Sequence, residues 1–164
     1  MMSQSDQISG NQKRKVRSAT RLYVLQALFQ MEQLGQSIDQ VVEEFIAHRF
    51  GEHYEEGQMS DGDETLFKSI LESAVNYQAS IDQLTDRALV EKWPIARIDP
   101  TLRSLFRSAA AEITQIKTPP KIVIAEYVAL AHAFFRSPHL SSPASRWSLH
   151  STPAPFSPRS LSAP

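Results

Sequence analysis

The side chains with the most evident chemical potential are cations near the N-terminus. Lys13, Arg14, Lys15, Arg17 and Arg21 lie in a stretch, Gln7 to Met31, that contains no acid. Lys and Arg in such a run neutralise phosphates, and Arg also forks to phosphate or base edges and stacks on unpaired bases. The net charge of −1 conceals a split, because Gln36 to Glu64 carries nine acids against a single Arg49. Charge separated in this way points to a localised polyanion-binding end. Composition alone leaves a second account open, in which the same residues are a solvated basic segment.

Other chemistries are poorly supplied. There is no cysteine, which excludes disulfides, a thiol nucleophile and Cys-ligated zinc. The five histidines are scattered. His48 and His53 flank a loop with no paired nucleophile, and His139 and His150 fall in a Ser/Pro-rich stretch. The acids of Ser60-Asp-Gly-Asp-Glu64 do not follow the fixed ligand spacing of a calcium loop. No glycine-rich cofactor loop is present. These observations predict no catalytic residue, no metal and no cofactor. The longest apolar stretch, Ile122 to Phe135, is broken by Glu126 and His132, and is too short to cross a bilayer. The polar N-terminus lacks the apolar centre of a signal peptide. A cysteine-free chain of this kind suits the cytoplasm.

Periodicity predicts the elements that position the cations. Leu22, Leu25, Leu28 and Phe29 place a helix over 17–34, ended by Gly35. Ser37 and Gln40 form a capping box before an apolar face of Ile38, Val41, Val42, Phe45 and Ile46. Residues 51–60 read as a loop. A third helix is expected over 63–78, with Leu66, Phe67, Ile70, Leu71 and Ala74 inward. Ser80 and Gln83 suggest a second capping box and a shorter helix to Val90 carrying Ile81, Leu84, Ala88 and Leu89. Trp93-Pro94 interrupts it. Asp99-Pro100 starts a fifth helix. On it Arg103 and Arg107 read as a solvated face. Pro119-Pro120 opens a sixth, apolar nearly all round and therefore expected to be central and buried. No strand pattern competes. The fold class is all-α, a compact helical bundle of about six helices.

After Phe135 the texture changes. Residues 136–164 hold nine Ser and six Pro, with no Asp, Glu or Lys. Such a segment cannot bury enough surface to offset its ordering entropy. The expected organisation is a disordered N-terminus over 1–12, a helical domain over 13–135, and a disordered Ser/Pro-rich tail over 136–164.

Four segments in order resemble the NusB family of bacterial transcription antitermination factors. They are the basic start running into Arg21-Leu-Tyr-Val-Leu-Gln26-Ala27-Leu28-Phe29, the turn Gly35-Gln-Ser-Ile38, the helix from Arg97-Ile-Asp99-Pro100 to Glu112-Ile113, and Pro120-Lys121-Ile-Val123-Ile124-Ala-Glu126. The wording of 126–135 is similar to alphaproteobacterial members. Ala125 replaces a usual Asn, and Ala111 a common aromatic. The resemblance implies a non-catalytic factor that pairs with the ribosomal protein NusE. Together they bind boxA-type single-stranded RNA in ribosomal RNA leaders and join the RNA polymerase antitermination complex, with no DNA or membrane partner. Lys13, Arg14, Lys15, Arg17 and Arg21 are the RNA-contacting set by position.

The resemblance also implies a missing part. Family members continue after the helix at 120–135 with a final helix, and a Ser/Pro-rich text stands in its place, as a frameshift would leave it. Three or four large apolar side chains would go unburied, roughly 1.5–3 kcal/mol each. That sum is comparable to the stability of a whole domain. An exposed apolar patch and marginal stability follow as expectations. Two alternatives accompany this reading: a helical protein-interaction module or inactive remnant, and a detached NusB-like domain of an RNA cytosine methyltransferase.

Overall fold

The computed structural model describes residues 9–54 and 57–135. Among them are six α-helices: α1 Gly10–Leu34, α2 Ile38–Glu44, α3 Glu64–Asn76, α4 Gln78–Ala88, α5 Pro100–Ala111 and α6 Pro120–Phe135. The all-α bundle is therefore as expected. The tail reading at 136–164, and its proposed origin, lie outside the described residues.

α1 starts earlier than the apolar period suggested. Ser9 caps it, its Oγ accepting from the Gln12 N–H at 3.2 Å, and no breaker follows Gly10. Residues 10–12 thus belong to the helix rather than to a disordered segment, and the basic residues from Lys13 onward ride on regular helix. Gly35 ends it in the left-handed region, at φ 66°, where its N–H closes onto the Met31 carbonyl.

The capping box at Ser37 and Gln40 forms as expected, and α2 runs on into a π-helical turn over Phe45–Arg49. The expected loop contains a minimal hairpin, His53–Tyr54 (β1) antiparallel to Gly57–Gln58 (β2). Asp63 caps α3 through the Leu66 N–H at 3.0 Å.

The second capping box does not form. α4 follows α3 across the single residue Tyr77, whose carbonyl already accepts the Ile81 N–H, so Ser80 sits inside the helix. This early start turns the helix face: Thr85 is buried, its hydroxyl satisfied by the Ile81 carbonyl, while Leu84 is exposed.

α5 opens on Asp99, which accepts from the Thr101 N–H at 2.8 Å with Pro100 in the first turn. It continues as a π-helical turn over Glu112–Ile116.

The core has two parts joined by α1. Tyr23, Val24, Ala27 and Leu28 pack with Phe45 of the π-turn and with Phe67, Ile70 and Leu71 of α3. Leu25, on the other side of α1, packs with Leu105 of α5 and with Val123, Tyr127 and Phe134 of α6. α6 is not buried all round. Only Val123, Tyr127 and Phe134 are buried. Ile124 is 59% exposed, Val128 49% and Ile122 48%. The helix packs on one side, and its outer side is apolar and exposed.

Candidate nucleic-acid interface

The N-terminal end of α1 lies across from the turn between α5 and α6. Lys13, Arg14 and Arg17 are spaced to share one side of α1, and that side forms one wall of a cleft of about 870 Å³. Lys117, Thr118, Pro119 and Lys121 form the facing wall. Lys13, Arg14, Arg17, Lys117 and Lys121 are all exposed. None of the ion pairs among the described residues involves them. Lys15 is exposed too, but it does not line the cleft.

Arg21 has a different place. It is 4% exposed, and its Nε donates to both carboxylate oxygens of Glu112, at 3.2 and 3.0 Å. A terminal nitrogen donates to Oε1 at 2.6 Å, and the other stands 3.7 Å from Glu126. Burial works against its charge, but the hydrogen bonds and the field of Glu112 outweigh it and hold the guanidinium pKa above its ordinary value. Arg21 is therefore floor and support to the cleft. The sequence held a signal for this: Arg21, Leu25 and Leu28 fall at i, i+4 and i+7, which turns Arg21 toward the core.

Glu112 shapes both walls. Its carboxylate ties α1 through Arg21, and its carbonyl accepts the N–H groups of Lys117 and Thr118, which closes the turn. Closure sets Lys117 at φ 64°, the left-handed region. Ser18 of α1 donates to Glu126 of α6 at 2.7 Å and adds a second tie across the cleft. The Tyr127 hydroxyl is buried beside this cluster with no hydrogen-bond partner. Burial first, and the charge of Glu112 second, push its pKa well up.

The NusB family pattern matches residues 18–142. The chain belongs to the NusB family. The transcription antitermination protein NusB of Granulibacter bethesdensis is 39% identical over 132 residues, covering 77% of this chain and 81% of that one. The NusB of Caulobacter vibrioides is also 39% identical over 132 residues, covering 80% and 88%. In fold, the chain is similar to one in a crystal structure of the antitermination factors NusB and NusE in complex with dsRNA. That match has a TM-score of 0.58 at 17% identity and covers 76% of this chain and 83% of the other. NusB relatives are transcription antitermination proteins, not enzymes. The family match extends past Phe135, to residue 142.

Two further NusB-domain arginines are not the solvated pair expected of them. Arg103 is ion-paired to Glu32 of α1 and donates to the carbonyls of Ile95 and Ala96 at 3.0 and 3.1 Å. Arg107 bridges Glu32 and Asp82 of α4, the latter at 2.9 Å. They hold helices together. Sequence reasoning missed Lys117 and Lys121, which belong to no basic run. The signal available was only their position on either side of a Pro-Pro helix start. No group of three potential metal ligands occurs among the described residues, and no helix there is long and apolar enough to cross a membrane.

Proposed function

We propose that this chain acts as a cytoplasmic transcription antitermination factor, binding boxA-type single-stranded RNA of ribosomal leader transcripts with NusE and RNA polymerase. Membership of the NusB family supports the antitermination role. The carrying observation for RNA is the set of exposed, unneutralised cations on one side of a capped helix. Lys13, Arg14 and Arg17 are the contacting set, Lys15 stands on the adjoining exposed face, and Arg21 supports them from behind.

The test is the salt dependence of binding to a short boxA-type RNA. Replacing Lys13, Arg14 and Arg17 together by Gln lowers the slope of log K against log salt by about 2, at about 0.7 per lost phosphate contact. An unchanged slope would show that α1 does not grip the backbone. The exposed side of α6 favours a second reading, a module whose main role is protein contact. That reading requires wild-type NusE binding together with no salt-dependent RNA affinity.

A further inference from the structure

The cations of α1 account for one wall of the cleft only. The other wall comes from residues about a hundred positions later, and three observations give it a role. First, Lys117 and Lys121 face the α1 cations across one continuous space and have no acidic partner among the described residues. Five like charges lining one space repel each other unless an anion lies between them. Second, Lys117 occupies the left-handed region at φ 64°. Gly or Asn adopts that conformation at lower cost, and a long cation there sacrifices local stability. Third, the lining is not cationic throughout: Glu126, Ala125 and the half-exposed Ile122 also line the space. A carboxylate there repels phosphates, so a bound strand keeps its backbone on the lysines and arginines and turns its bases toward the apolar surface.

We propose that Lys117 and Lys121 are the second half of the RNA site. One single strand lies inside the cleft, its phosphates held from both walls, rather than along the outer surface of α1. The cleft volume falls in the range of roughly 300–1,000 Å³ that encloses a small ligand. That is room for a few nucleotides of one strand, whereas a duplex meets only the rim. This inference rests on the RNA-binding reading above and adds where the strand runs.

Three variants of the full chain decide it: Lys117→Asn/Lys121→Gln, Lys15→Gln, and Lys13→Gln/Arg14→Gln/Arg17→Gln. Asn suits the left-handed position, and all substituted side chains are exposed, so the fold is kept; unchanged circular-dichroism melts verify it. Binding of a labelled short boxA-type RNA is titrated over a range of salt, single-stranded and as a duplex. The expected result is a slope lowered by about 1.4 in the Lys117/Lys121 variant, at about 0.7 per contact, and an unchanged slope for Lys15→Gln. Duplex binding is expected to be weaker and indifferent to Lys117 and Lys121. The inference fails alone if the α1 triple variant lowers the slope and the Lys117/Lys121 variant does not. It also fails if Lys15→Gln lowers the slope by the same amount per charge, about 0.7, or if the duplex binds as tightly with the same lysine dependence. If neither wall matters, the RNA-binding reading falls with it.

Discussion

Arg21 and Glu112 lie ninety-one positions apart and meet as a buried pair with three hydrogen bonds. Removing one member leaves the other charged in a dry place, which typically costs about 3–5 kcal/mol. Arg21→Met is therefore expected to lower the urea midpoint sharply. Arg21→Met with Glu112→Leu should recover most of that loss, since a buried pair is often no better than apolar packing. If the double variant were as unstable as the single, the pair would have a role that apolar contact cannot replace. Tyr127 next to it gives a second expectation. Its hydroxyl is buried without a partner, a situation that costs about 1–3 kcal/mol, so Tyr127→Phe should leave the melting temperature unchanged or raise it. The pKa values of Tyr127 and Tyr23 both stand above the ordinary 10.0 in the folded chain, chiefly through burial. The folded state thus keeps these protons after the unfolded state has lost them. This contribution is complete below about pH 10 and is lost as pH rises toward each folded-state pKa, at no more than about 1.4 kcal/mol per pH unit per group. Denaturant titrations at pH 9 to 11 should show that fall, and a shallower one in Tyr127→Phe.

At the scale of elements, α5 is the hub. Through Arg103 and Arg107 it holds Glu32 of α1, Asp82 of α4 and the turn over Ile95–Arg97. These pairs are partly exposed, so Glu32→Gln is expected to cost only about 1 kcal/mol. High salt should shrink that difference, and a loss unaffected by 1 M salt would mean that packing, not charge, is the tie. The helices themselves are largely legible in the sequence, because Asp99, Asp63 and Ser37 cap locally and the apolar period is a property of each segment. What is not legible is pairing across distance. Nothing near Arg103 in the sequence announces Glu32, seventy-one residues away, so its face reads as solvated. Lys117 and Lys121 are missed for the same reason: they become part of a site only when the bundle brings their turn to α1. The Ser80 signal misled in the opposite way, since a true local motif was overridden by a helix that had already started at Gln78.

For the whole molecule, the outer side of α6 decides behaviour in solution. Ile124 and Val128 are about half exposed or more, beside Ile122, and contiguous apolar surface of this kind promotes association. Ile124→Glu with Val128→Lys should reduce binding of an apolar dye and self-association in sedimentation, with little change in the melting temperature, because neither side chain is buried. A large loss of stability would show that this side of α6 is covered in solution.

Val24 and Leu25 are neighbours in sequence, yet they feed different halves of the core. α1 is thus a shared keel with two separately built decks, and the deck holding α6 contributes the fewer buried side chains. Cooperative units assembled this way open at different free energies. Amide hydrogens of α6 should exchange through a partial opening that leaves α1 and α3 protected, so that the wall bearing Lys121 can swing free while the rest of the protein stays folded.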